Sequence, residues 1–321
     1  MSVLSRPYFH DEAAAFEHVE GMLWPQGPVC PKCGSMDKHY KLAGVRSKAS
    51  KKNPYGVERH GLYKCGACRS QFTVRTGSIF EESHLPLHKW LQAIHLMCSS
   101  KKGIRAHQMH RVLEVTYKTA WFLCHRIREA MRSGDFSPMG GNGKTVEVDE
   151  TYIGRLAGTP VRTGGGSHKN TVVTLVERGG RARSFHVDTA RIGTIMPIVR
   201  ANIARESALM TDEAGMYRRV GQEFASHDVV THSKDEYVRY EGEKTVHTNT
   251  VEGFYSIFKR GMKGVYQHCA EHHLHRYLAE FDFRYSNRSA MGIEDNVRSL
   301  IALKGAKGKR LTYHGPHFRE A

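Results

Sequence analysis

The sequence has no run of about 18 apolar residues and no charged-then-apolar leader, so neither a membrane span nor a secretory signal is expected. It is short of acid: 32 Asp and Glu stand against 48 Lys and Arg, giving a formal charge of +16. A field of that sign selects polyanionic partners, and with no membrane segment the expected partner is nucleic acid in the cytoplasm. The seven cysteines do not suit a disulfide framework. Four form two CxxC pairs, while Cys98, Cys124 and Cys269 stand alone in apolar or helical surroundings, a pattern of one metal site plus free thiols in a reducing compartment. No internal repeat is visible at periods of about 20–50 residues.

At 321 residues the chain has room for two or three domains. The expected class is a multidomain α/β protein, divided into residues 1–80 (an N-terminal helix from Asp11 to about Met22, then the cysteine segment), a helical segment at 81–134, an α/β domain at 144–290 and a basic tail at 291–321. The Gly- and Ser-rich stretch Ser133–Gly143 is the clearest linker. Beyond it, strands are expected at Thr145–Ile153, Thr171–Glu177, Ala182–Val187, Ala208–Thr211 and near Asp228–Thr231. Helices are expected at Ile192–Ala204, Thr250–Met262 and Glu271–Tyr285, which together suggest a mixed sheet flanked by helices. The basic, glycine-bearing pieces Gly154–Lys169 and Lys304–Arg310 read as solvated loops.

Cys30-Pro-Lys-Cys33 and Cys65-Gly-Ala-Cys68 are paired knuckles, each offering two thiolates to one tetrahedral ion. The pattern predicts structural Zn²⁺, with a 31-residue insert between knuckles. That insert carries Lys41, Arg46, Lys48, Lys51, Lys52, Arg59 and Lys64 against one acid, Glu58, and suits a phosphate backbone.

Between Lys101 and Gly134 lie Lys101, Lys102, Arg105, Arg111, Lys118, Arg126, Arg128 and Arg132 against Glu114 and Glu129. A short turn at Leu113–Thr116, with Thr116 as N-cap of a second helix Tyr117–Met131, gives a helix-turn-helix pattern without the usual turn glycine. Lys101, Lys102, Arg105, Arg111, Lys118, Arg126 and Arg128 are its DNA-contact candidates. Trp90 and Trp121 read as helix-packing core. His268 and His272 are spaced as helical ligands would be, but with His273 and His275 they form a plain surface cluster more readily.

Three acids occupy sites where α/β folds build chemistry. In Thr145–Gly154, Val146 and Val148 alternate with Glu147 and Asp149, so the two acids share one strand face. Asp212 closes the apolar strand Ala208–Thr211, and Glu252 opens a helix whose buried stripe is Val251, Phe254, Tyr255 and Phe258. Each acid has a plainer role available: a solvent-facing strand residue, a helix cap, or the third position of a capping box begun by Asn249. Jointly, at spacings of 63 and 40, they suit paired Mg²⁺ or Mn²⁺ ions in phosphodiester chemistry.

These pieces resemble bacterial insertion-sequence transposases of the ISXO type, which join an N-terminal zinc ribbon to an RNase H-like DDE domain. The resemblance runs through Cys30-Pro-Lys-Cys33, Lys64-Cys-Gly-Ala-Cys68-Arg-Ser-Gln-Phe72, Val148-Asp149-Glu-Thr-Tyr-Ile-Gly154, Thr211-Asp212-Glu and His247-Thr-Asn-Thr-Val-Glu252-Gly-Phe-Tyr-Ser-Ile-Phe-Lys259-Arg. It implies cleavage at terminal inverted repeats and joining to target DNA by a nucleoid-associated homo-oligomer. Asp149, Asp212 and Glu252 would be metal ligands, and Lys259 would steady a phosphate or terminal base. Some members carry Asn as third residue, so Asn249 is an alternative to Glu252. The competing classes are a non-catalytic DNA-binding regulator and a metal-dependent, structure-specific nuclease.

Overall fold

The computed structural model describes residues 2–51, 53–160, 165–242 and 244–312. Lys52 of the basic insert, residues 161–164 of the Gly154–Lys169 loop and the tail from residue 313 lie outside the described residues. The chain divides into two compact units, one holding the residues up to Ser99, Ala106–Met131 and those from Asp295, the other Ser100–Arg105 and Arg132–Glu294.

In the first unit, helix α1 (Glu12–Leu23) begins where the Asp11 carboxylate accepts the Ala14 amide at 2.7 Å. It buries Ala15, Phe16, Val19 and Leu23 at helical spacing. Strands β1 (His39–Lys41), β2 (Tyr63–Cys65) and β3 (Gln71–Phe72) form a small antiparallel sheet in that order. Tyr63, Phe72 and Trp24 pack ring to ring beneath it. Helices α2 (Leu87–Ser99), α3 (Ala106–Leu113) and α4 (Tyr117–Met131) follow. The segment expected as a basic tail, 291–321, holds a helix, Asp295–Lys304, that packs on α2 and sends the Arg298 guanidinium to the Cys98 carbonyl at 2.8 Å. Nor is Lys304–Arg310 a solvated loop: Ala306 is buried, its carbonyl accepts the Ile79 amide, and the Gly308 amide donates to Gly77. Composition concealed this because the anchoring groups are backbone atoms.

The second unit is built on a five-stranded mixed sheet. Its strands are β4 (Thr145–Ile153), β5 (Asn170–Glu177), β6 (Ala182–Val187), β7 (Ala208–Asp212) and β8 (Ser226–Val230), with α5 (Ile192–Asn202) between β6 and β7 and α6 (Tyr217–Gly221) between β7 and β8. A hairpin of β9 (Arg239–Glu241) and β10 (Lys244–Val246) leads to α7 (Asn249–Arg260) and then α8 (Leu274–Ser286). The sheet order is β6-β5-β4-β7-β8, antiparallel from β6 to β4 and parallel from β4 to β8. This is the RNase H-like arrangement the family resemblance implies.

Strand alternation sorts the two faces. Val146, Val148, Val173 and Leu175 pack with Ile195, Val199, Tyr217 and Val220 of α5 and α6. Ile153, Val172 and Val176 pack with Val251, Phe254, Tyr255, Phe258 and Phe281 of α7 and α8. Glu147 therefore points into the α7 side, fully buried. Its carboxylate accepts the Thr250 amide at 2.8 Å, the Val251 amide at 2.9 Å and the Thr250 hydroxyl at 2.7 Å, capping α7 from another element. Arg178, in the β5–β6 turn, donates to Glu147 at 2.6 Å and to the Thr245 and His247 carbonyls at 2.7 Å each. Replacing Arg178 with Met leaves a buried carboxylate held by the helix donors and the His247 ring at 3.2 Å, without its guanidinium. The expected cost to α7, read by hydrogen exchange at the Thr250 and Val251 amides, is about 3 kcal/mol, the low end for breaking a buried pair; a cost below about 1 kcal/mol would contradict this account.

Candidate active site and zinc ribbon

The parallel register of β4 and β7 pairs Thr145 with Ala208 and Glu147 with Met210. Continued two residues, that register sets Asp149 level with Asp212 on the adjacent strand, and both are on the α7 side of the sheet. Glu252 stands in the first turn of α7, where the Glu147 cap holds that helix against β4. The Thr248 hydroxyl donates to the Glu252 carboxylate at 2.9 Å. Asn249 is exposed and does not open a capping box; its amide donates to the His247 ring at 3.2 Å. The Tyr255 hydroxyl donates to the Asp149 carbonyl at 2.6 Å, and the Lys259 ammonium lies 5.8 Å from the Tyr255 ring centroid. Helix α7 thus presents Glu252, Tyr255 and Lys259 toward the Asp149 end of β4.

Two groups join the three acids without a signal the sequence reading used. Glu150 points to the opposite face from Asp149 and accepts the buried Tyr217 hydroxyl at 2.6 Å. His232, in the turn after β8, has Nε2 3.4 Å from the Glu252 carboxylate and 3.4 Å from the Thr248 hydroxyl, and its charge acts on Asp212. Strand alternation placed Glu150 away from Asp149, and nothing local marks His232, because its position depends on where β8 ends.

The electrostatics are those of crowded acids. Burial pushes the Asp149 carboxyl up to about 7, and the charges of Glu150, Asp212 and Glu252 push the same way against the Glu150 amide, which donates to it at 2.7 Å. Burial also raises Asp212, opposed by the Ala214 amide and by His232. Burial raises Glu150 likewise. Among the described residues only the four cysteines bring three or more potential ligand atoms within 4.8 Å of one another, so the acidic set is the more open of the two donor groups.

The cysteines form a closed site. The Cys30–Cys68 sulfurs are 3.6 Å apart and the Cys33–Cys65 sulfurs 3.7 Å, close to the edge of about 3.8 Å that a Zn–S bond of ~2.3 Å dictates for a tetrahedron. The knuckles repeat one geometry: Gly34 and Arg69 turn back to the Cys30 and Cys65 carbonyls, and both have left-handed φ, 72° and 61°. At Gly66 a Cβ would meet the Lys38 carbonyl at 2.5 Å, so this knuckle position has no room for a side chain. The four-cysteine cluster fits a structural zinc ribbon.

The basic candidates separate. Arg111 and Lys118 are exposed in the first unit, on α3 and α4, with Thr116 accepting the Thr119 amide at 3.2 Å as its N-cap and Glu114 (φ 52°) where the turn has no glycine. Lys101, Lys102 and Arg105 belong to the second unit, where Arg105 donates to the Gln267 side chain at 2.6 Å. Arg126 and Arg128 are corrections: both are buried, because α4 is enclosed on all sides from Leu123 to Met131. Arg126 donates to the Glu81 carbonyl and lies against the Trp90 and Phe122 rings, so its guanidinium packs the core and does not face a phosphate. The helical ligand spacing of His268 and His272 also fails, since His268 precedes the helix in irregular chain.

The mixed sheet, with Asp149 and Asp212 level on neighbouring parallel strands, and the four-cysteine cluster are the two parts that the family resemblance implies. Residues 140–286 match the ISXO2-like transposase domain, and residues 10–71 match the transposase zinc-ribbon domain. An uncharacterized protein in transposable element ISH50 of Halobacterium salinarum is 28% identical over 295 residues, spanning 86% of this chain and 91% of that protein. The Drosophila P element transposase strand transfer complex overlaps 70% of this chain and 65% of that one at 11% identity, with a TM-score of 0.26, a likeness that carries no argument. The chain therefore carries an ISXO2-like transposase domain and a transposase zinc-ribbon domain, and is similar to a protein of a transposable element. No helix among the described residues is long and apolar enough to cross a membrane.

A carboxyl whose folded pKa is raised binds its proton better folded than unfolded, so the folded state loses stability as pH rises through that interval. For Asp149 the interval runs from 3.8 to about 7. In magnesium-free buffer Asp149→Asn is expected to be more stable than the parent at pH 8, by up to about 4 kcal/mol before solvent screening, with the gap closing near pH 4. Urea denaturation at both pH values measures it; equal stabilities at pH 8 would contradict the burial of Asp149 beside like charges.

Proposed function

We propose that the protein is an active transposase: it binds the terminal inverted repeats of an insertion sequence, cleaves the strand there and joins the freed 3′-hydroxyl to target DNA. The observation that carries this reading is the convergence of Asp149, Asp212 and Glu252 on one face of the family-matched domain. Their hard oxygen donors, with Asp149 and Asp212 raised in proton affinity chiefly by burial, fit Mg²⁺ or Mn²⁺. When bound, such ions activate water or a 3′-hydroxyl and stabilise the leaving oxygen.

The chain's own groups divide the remaining work. Tyr255 fixes the β4 backbone at Asp149, and Thr248 with His232 orients the Glu252 carboxylate. Lys259, over the Tyr255 ring, steadies a phosphate near that face. Asn249, exposed and turned to His247, is the weaker candidate for third ligand. The zinc ribbon, its basic insert, and Arg111 and Lys118 recognise duplex ends, and Lys101, Lys102 and Arg105 add charge to the second unit.

A Mg²⁺-dependent strand-transfer assay on DNA carrying the element's own ends, with Asp149→Ala, Asp212→Ala and Glu252→Ala, tests the assignment. The expected result is joined product from the parent and a loss of at least about a hundredfold in each variant. Nicking without joining would make the protein a nuclease, and tight binding without cleavage a regulator. Activity surviving Glu252→Ala alone would move the third ligand to Asn249. Joining requires two ends held together, so light scattering of the complex with end DNA should give two or more chains; a strictly monomeric complex would oppose this.

A further inference from the structure

A second feature of the catalytic unit lies beyond the acidic face. Past Asp149, the end of β4 contributes Tyr152 and Ile153 to a cavity of about 570 Å³. Its other walls come from Arg155, Lys169, Asn170, the turn after α7 (Met262 and Lys263) and the chain from Gln267 to Leu274. The volume is that of a small-ligand site, too small for a duplex and ample for one nucleotide. Its floor is apolar, with Ile153, Met262 and Leu274 buried, while Arg155 and Lys263 are exposed at its rim. The Asn170 side chain is only 4% exposed. Its Nδ2 donates to the Ile153 carbonyl at 3.3 Å, and its Oδ1 is buried with no hydrogen-bond partner. A buried acceptor without a donor is costly and rare, and it marks the place where a ligand N–H belongs.

We propose that this cavity binds one unpaired nucleotide of the reacting DNA strand. The base lies on the apolar floor with an edge N–H to Asn170 Oδ1, and the adjoining phosphates lie against Arg155, Lys169 and Lys263. Tyr152, 38% exposed with its ring against the Gly166 backbone, flanks the entry. Two connections tie the cavity to the reacting phosphate. The Tyr152 backbone lies three residues along β4 from Asp149, about 10 Å at strand rise, so the cavity adjoins the acidic end of that strand. Lys263, four residues after Lys259 and just beyond the end of α7, carries positive charge on from that helix to the cavity rim. The walls are held in place: Arg105 donates to Gln267 Oε1, and the Gln267 amide closes on the Met262 carbonyl at 2.7 Å with φ at 60°. Placing a base there requires unpairing, which costs a few kcal/mol and is least at a strand end or beside a nick.

This inference rests on the transposase reading, and the test separates the two. 2-Aminopurine is placed in turn at each position around the expected cleavage point of end DNA, and fluorescence and anisotropy are followed together on the full-length, zinc-loaded protein without Mg²⁺. One position should brighten on binding. The rise should be lost in Arg155→Glu/Lys263→Glu and in the cavity-filling Ala270→Trp, while anisotropy still reports duplex binding. Saturated binding with no brightening position, or brightening unchanged in the variants, overturns the cavity assignment and leaves the transposase reading intact. If end DNA does not bind, that reading fails instead. The cavity is then judged on a single-stranded oligonucleotide carrying the probe, whose affinity must fall in the same variants for the proposal to stand.

Discussion

The buried carboxylate of Glu147 is the contact on which the geometry of the candidate site depends. It belongs to the central strand, yet it satisfies the first amides of a helix that begins about a hundred residues later, and Arg178 fastens the approach to that helix from a third direction. A helix N-terminus needs an acceptor and a buried carboxylate needs donors, so each resolves the other's cost. Because Glu147 and Asp149 share a strand face, the contact that caps α7 also sets Glu252 beside Asp149. Under the proposed function, positioning and chemistry come from two acids two residues apart.

Seen this way, the crowding of Asp149, Asp212, Glu150 and Glu252 is held against its own repulsion by rigid supports. Tyr217 fastens Glu150 from below the sheet, Tyr255 fastens the backbone at Asp149, and Thr248 fastens Glu252. Burial, with the neighbouring charges adding to it, raises the proton affinity of Asp149, a cost that a divalent cation would relieve under the proposed function. The zinc ribbon works by the same logic on a smaller scale: two backbone turns bring four sulfurs to tetrahedral spacing without help from a large core.

Much of this was legible in the sequence, and for physical reasons. Alternating Val146 and Val148 fixed which residues of β4 share a face, and the CxxC knuckles carry their geometry in local turns. The spacing of 63 between Asp149 and Asp212 is the register offset of β4 and β7, so a number visible in the sequence acquired a meaning only once the strands paired. What stayed hidden depends on chain returning from far away. Arg126 and Arg128 read as a basic helix face because charge suggests solvent, yet the surrounding helices enclose that part of α4. His232 has no local pattern, and the order in Lys304–Arg310 comes from backbone pairing with Gly77 and Ile79.

The most direct test of the central claim is manganese anomalous scattering from crystals of the protein with end DNA. The account predicts Mn²⁺ density within about 2.0–2.4 Å of carboxylate oxygens of Asp149, Asp212 and Glu252, with α7 still capped by Glu147. Manganese bound elsewhere, or held by Asp149 and Asp212 with Glu252 turned away, would contradict it.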